Sequence, residues 1–242
     1  NQEIKEVIEY CIHDVEQTLE VLNEQIEEFD SMMSLVKAFD LPLDYLNKTK
    51  AQISAVILGA KNTGSRNDDF NITFPDTLDI SDKYKYIVNW YKEPLNLNYK
   101  MSLDTNVWGV PHKFAYGGIH GAINNYIGDG YFILSDVASL YPSIMIEYNF
   151  LSRNVPYPER FKEIRDKRIE LKKAKNPMQL PMKIVLNSTY GASKDKYNDL
   201  YDPLMANNVC IAGQLLILDL IEKLELEFGD SCQLIQSNTD GI

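Results

Sequence analysis

Between residues 131 and 241 the chain twice runs a short apolar stretch towards an aspartate, with helix-like segments in between. Tyr131-Phe-Ile-Leu-Ser135 suits a buried strand and has Asp136 at its end. Cys232-Gln-Leu-Ile-Gln236 reads as a second strand, feeding the turn Asn238-Thr-Asp-Gly241 that carries Asp240. Pro156 and Pro158 lead into a charged helix over roughly residues 159–175, which Asn176-Pro177 breaks. Another helix holds Lys183 and Asn187, starts near Pro181 and is closed by Tyr190-Gly191. A strongly apolar helix covers residues 205–228, with Gly229 as its stop. The expected class is α+β.

Upstream, Ile4, Ile8, Cys11, Val15, Leu19, Leu22, Ile26 and Phe29 step by three or four, which predicts a long amphipathic helix. Tyr10 and Asp14 lie one turn apart on the flank of that stripe, where they would border a groove. Residues 36–58 read as a further helical segment. Residues 59–130 are the least regular part, with strand-like pieces and turns at Asn62-Thr-Gly-Ser65 and Gly117-Gly118. No repeat is visible, and no stretch of about 18 apolar residues predicts a membrane span. The first residues are acidic rather than basic-then-apolar, so no signal peptide is expected. A hairpin without its return strand is a poor natural end, so the sequence reads as an internal piece of a longer polypeptide. Cys11, Cys210 and Cys232 match no metal or disulfide spacing and are expected to be buried, reduced thiols in a cytoplasmic protein.

The net charge of −11 argues at first against a nucleic-acid partner. Its distribution reverses that argument. Residues 1–40 hold eleven carboxylates against two lysines, whereas Arg160 to Lys175 holds eight Lys or Arg against three Asp or Glu. One acidic end and one basic stretch suit a phosphate-bearing ligand at the basic part. Two close carboxylates to hold two Mg²⁺, plus cations to grip a triphosphate, are what phosphoryl transfer needs.

Asp136-Val-Ala-Ser-Leu-Tyr-Pro-Ser-Ile144 is similar to motif A of family B DNA polymerases, the pattern D-x-x-S-L-Y-P-S-I. Lys183-Ile-Val-Leu-Asn-Ser-Thr-Tyr-Gly191 resembles motif B, K-x-x-x-N-S-x-Y-G. Asn238-Thr-Asp-Gly241 resembles motif C, usually D-T-D-S after Tyr-Gly, with Asn238 and Gly241 in place of Asp and Ser. Arg168 and Lys172 match an R-x-x-x-K on the first fingers helix, and Tyr10-Cys-Ile-His-Asp14 fits the third exonuclease motif, Y-x-x-x-D. Tyr116-Gly-Gly-Ile-His-Gly121 is read as a loop near the template, since it lacks one residue of the family's Y-x-G-G linker.

The resemblance implies a bacteriophage-type, DNA-directed DNA polymerase acting in replication on primer–template DNA and dNTPs, with two Mg²⁺ (Mn²⁺ able to substitute). It implies no membrane partner and leaves replisome partners unnamed. It implies a palm whose mixed or antiparallel sheet carries the catalytic aspartates, short helical-hairpin fingers, and the C-terminal helix of a 3′–5′ exonuclease domain. In this chain those parts would be residues 1–58 for the exonuclease part and 59–130 for a linker and N-terminal palm region. Palm with motif A would span 131–157, fingers with motif B 158–191, and palm up to motif C 192–242. Asp136, the Val137 carbonyl and Asp240 would hold metal. Ser139, Leu140, Arg168, Lys172 and Lys183 would touch the triphosphate, leaving Arg160, Lys162, Arg165 and Lys173 on the surface. Tyr141 would exclude a 2′-hydroxyl, Asn187 would line the nucleotide site, and Tyr190 would pack near the nascent base pair. Tyr10 and Asp14 would serve the exonuclease. Two alternatives stand: an exonuclease with a passive palm, or a non-catalytic DNA-binding relic. In each case this piece alone is expected to show little activity.

Overall fold

The computed structural model describes residues 2–64 and 66–242; Asn1 and Ser65, the last residue of the expected Asn62–Ser65 turn, lie outside the described residues. The fold is α+β, with eight α-helices and a four-stranded antiparallel sheet among the described residues.

The apolar C-terminal helix, α8 (Pro203–Phe228), is the axis of the core. By length and composition it could cross a membrane, but Asn207, Asn208, Gln214 and Asp219 interrupt its apolar run and most of it is buried inside the fold. α3 (Lys50–Leu58), α5 (Leu140–Glu147), α6 (Glu159–Lys173) and α7 (Gln179–Lys194) pack around one another and, through α5 and α7, onto α8. Polar side chains along α8 are buried too, and the irregular segment 69–84 explains them. Asn207 Nδ2 donates to the Asp69 carbonyl at 2.9 Å, and the Thr73 N–H donates to Asn208 Oδ1 at 3.0 Å. The N–H groups of Asp79 and Ser81 donate to the carboxylates of Asp219 and Glu222 at 3.3 and 2.9 Å. Buried backbone groups must find partners, and here a helix supplies them to a strap that has no strand neighbour.

The sheet runs β1 (Leu103–Val107), β2 (Val110–Phe114), β3 (His120–Ala122), β4 (Gln236–Asn238) in spatial order. Trp108 and Gly109, both at positive φ, make the two-residue hairpin turn between β1 and β2. Val110, His112 and Phe114 alternate inward, with Pro111 and Lys113 outward. On the inner side His112 Nδ1 donates to the Val110 carbonyl at 2.8 Å, which leaves Nε2 to accept from Ser237 Oγ at 2.8 Å.

Several expectations are corrected. The long N-terminal helix is two helices, α1 (Gln2–Glu24) and α2 (Ile26–Ala38), divided at Gln25. None of α1 is buried, so its apolar stripe lies open, as does Cys11. Cys232 is exposed as well, and only Cys210 is a buried thiol. Residues 36–58 are interrupted at Asp40–Pro42, after which Thr49 and Gln52 form a capping box on α3. α7 continues through Tyr190-Gly191 to Lys194. The expected buried strand at 131–135 is exposed, with Ile133 at 86% and Leu134 at 78%. Only its last residue joins a ladder, and of the rest Phe132 meets the Tyr126 ring edge-on while staying largely exposed. Arg165 is not a free surface cation, since its guanidinium is half-buried and pairs with Glu147 at 3.7 Å and Asp166 at 2.7 Å.

Candidate active site

Two short extended segments meet where α5 begins. Ser135 and Ile242 exchange both backbone hydrogen bonds at 2.9 Å, and Asp136 bridges Gly241. On the next rung the Val137 N–H donates to the Asp240 carbonyl at 2.8 Å, while the Asp240 N–H turns back to Asn238. Asp136 and Asp240 therefore occupy adjacent rungs where the two segments pair in antiparallel fashion. Neither carboxylate has an ion-pair partner among the described residues. Both carboxylates are oxygen donors without a charged partner, and among the described residues no group of three or more His, Cys, Asp or Glu side chains gathers around them. Gly241 permits the close pairing of the two segments, because a Cβ there would stand 3.0 Å from the Ser135 carbonyl and 3.2 Å from Asp136 Oδ1.

A glycine loop braces the turn from the other side. The Thr239 N–H donates to the Ile119 carbonyl at 2.8 Å, and a Cβ on Gly118 would lie 2.6 Å from Thr239 Oγ1. Thr239 itself is held at φ +38°. The Gly117-Gly118 pair, read as a template loop, thus packs on the aspartate turn.

Past Asp136 the chain reaches Ser139, a non-glycine residue in the left-handed region (φ 59°, ψ 44°) immediately before α5. Its Oγ accepts from Nη1 of Arg168 on α6. Arg168 is half-buried, its Nε is buried without a hydrogen-bond partner, and desolvation lowers its pKa from the ordinary guanidinium value. A partly desolvated guanidinium makes strong charge-assisted hydrogen bonds through its exposed nitrogens. Leu140, next along, is buried in the core.

Tyr141 and Tyr190 pack with ring centroids 4.5 Å apart and planes at 59°. Burial pushes both phenols well above the usual tyrosine value. Lys194 Nζ sits 4.8 Å over the Tyr190 ring and donates to the Tyr116 carbonyl at 3.2 Å. Tyr116 is buried, and that burial pushes its phenol up to about 12.

No protein-family model and no curated protein matches the chain. The site must be judged on its own geometry.

The structure joins Asp136 and Val137 to Asp240, Ser139 to Arg168, and Tyr141 to Tyr190. It does not join the others to them. Lys183 and Asn187, one turn apart on α7, are exposed and line a groove of about 700 Å³ shared with Glu27, Asp30 and Lys50. Lys172 is exposed on α6. Tyr10 and Asp14 are exposed on α1, which packs mainly on α2. Sequence reasoning missed Lys194, Gly118 and Ile119 as neighbours of the site. The doubled glycine was the available signal for the loop; nothing marked Lys194.

Proposed function

We propose that the protein is a template-directed DNA polymerase of the family B type, transferring dNMP from dNTP to a primer 3′-hydroxyl. The observation that carries the reading is the ladder that sets the Asp136 strand end and the Asp240 turn on adjacent rungs. The sheet and the segments at 131–137 and 240–242 would be palm, and the antiparallel pair α6–α7 the fingers.

Asp136 and Asp240, with the Val137 carbonyl, would hold Mg²⁺ ions, which when bound supply Lewis acidity to the attacking and leaving oxygens. Arg168 supports the reading as a cation near that pair: its Nη1 bond to Ser139 sets the guanidinium at the start of α5, an end that also favours phosphate oxygens. Lys183 and Lys172 would come to the triphosphate from exposed positions, with Asn187 lining the approach. The primer 3′-oxygen forms a bond to the α-phosphorus as the bond to pyrophosphate breaks, and the hydroxyl proton passes to solvent water. The residues' part is positioning and charge neutralisation, which is where catalysis of this step resides. Tyr141, backed by Tyr190, would lie under the sugar and leave no space for a 2′-hydroxyl.

The test is isothermal titration of Mg²⁺·dNTP into the protein on a dideoxy-terminated primer–template. Templated, Mg²⁺-dependent binding is expected, and its loss in Asp136→Asn and Asp240→Asn. Binding that ignores the template base, or survives both substitutions, would overturn the proposal.

A further inference from the structure

We infer that Gly213 on α8 is a positioning residue for sugar specificity, because its missing side chain is what fixes the Tyr141 ring; this rests on the polymerase reading above. A Cβ at Gly213 would stand 2.9 Å from Tyr141 Cε1, and 3.6 Å from Tyr141 Cδ1 and Ile144 Cδ1. The first distance is inside van der Waals contact for two carbons, so ring and helix touch only because residue 213 ends at Cα. On its other side the ring meets Tyr190 at 4.5 Å.

The surroundings decide which partner would yield to a methyl group. α8 cannot retreat, since the next residue, Gln214, donates to the carbonyls of Ala115 and Gly117 at 2.7 and 2.8 Å and accepts from Tyr91 at 2.9 Å. Its neighbours Ile211, Ala212 and Leu215 are fully buried. The Tyr141 backbone is anchored by buried Leu140 and by Ser143 N–H bonding back to Ser139 at 3.0 Å. The half-buried ring is the free element, so it must swing off α8, and with Tyr190 packed on it the move shifts the ring from its present place. A glycine inside a helix is also unfavourable relative to alanine, so an Ala here should help the helix and harm only what leans on the glycine.

The experiment measures dATP and ATP affinity by titration on a dideoxy-terminated primer–template with Mg²⁺. The chains compared are wild type, Gly213→Ala, Tyr141→Ala and the double variant. Wild type is expected to prefer dATP. Gly213→Ala should weaken dATP about tenfold, the scale of a ring displaced by a fraction of an ångström to one ångström. Tyr141→Ala should erase the preference, and adding Gly213→Ala to it should change nothing further, because no ring remains to be pushed. Unchanged dATP affinity in Gly213→Ala, or an equal loss in both backgrounds, would overturn the inference while leaving the polymerase reading intact. Absence of nucleotide binding in wild type, or a full preference kept by Tyr141→Ala, would overturn the reading and this inference together. Should Gly213→Ala fail to fold, a folded double variant supports the ring as the clashing group, and an unfolded one counts against it.

Discussion

The N–H of Val137 donates to the carbonyl of Asp240 at 2.8 Å, so the residue after one candidate metal ligand is bonded to the other ligand itself. The two carboxylates are thereby set by backbone geometry rather than by side-chain partners, and both remain available.

Asp136→Ala and Asp240→Ala should each abolish any nucleotide incorporation, a loss of at least about a thousandfold for a metal-based centre. Primer–template affinity, followed by fluorescence anisotropy, should stay within about twofold, because neither side chain contributes a cation to the phosphates. Substantial primer extension by either variant would remove both from the catalytic role.

Arg168→Ala should weaken Mg²⁺·dNTP binding by about 1.5–3 kcal/mol, the range of a charge-assisted hydrogen bond. Arg168→Lys should recover only part of it, since an ammonium cannot bond Ser139 and present a second donor in the same fork. Wild-type affinity in Arg168→Lys would show that planar geometry is irrelevant here.

The brace beneath the aspartate turn predicts that Gly118→Ala displaces Thr239, because the added carbon would lie 2.6 Å from its hydroxyl. A cost of about 1–3 kcal/mol is expected from such overpacking. Thr239→Ser would leave the hydroxyl in place, whereas Gly118→Ala with Thr239→Ala should regain most of the loss in urea unfolding.

Burial holds the His112 pKa below its ordinary 6.5. A depressed folded value means that both states are neutral at high pH and that the unfolded chain takes up the proton first on acidification. The contribution is therefore complete above about pH 6.5 and is lost as pH falls from there to the folded value, at no more than about 1.4 kcal/mol per pH unit. His112→Gln should flatten that part of the stability–pH profile measured by urea midpoints. A parallel profile in the variant would place the pH dependence elsewhere.

Asp202 is fully buried and accepts from Arg153 through its backbone N–H at 2.8 Å and from Nη2 at 2.7 Å, while Arg153 also grips Asp68. Asp202→Ala should cost about 3 kcal/mol, the lower end for a broken buried pair because the Arg153 side chain is 32% exposed. The test is the shift in unfolding free energy, against a surface control such as Asp82→Ala.

What was legible in the sequence was whatever local chemistry fixes. The i, i+3/i+4 spacing and the proline and glycine stops marked the helices α6 and α8 to within a few residues, and Lys175 at φ +53° followed by Asn176-Pro177 ends one helix by backbone geometry alone. The side chains that could carry the chemistry were also readable, because aspartate, arginine and tyrosine declare their charges and shapes. Three things belonged to the tertiary structure. Burial of 131–134 and of the α1 stripe depends on what packs against them, which periodicity cannot say. The polar residues of α8 look out of place until the 69–84 strap bonds to them. The meeting of Asp136 with Asp240, of Arg168 with Ser139 and of Gly213 with Tyr141 links residues far apart in the chain, and such distances are set by how whole elements pack.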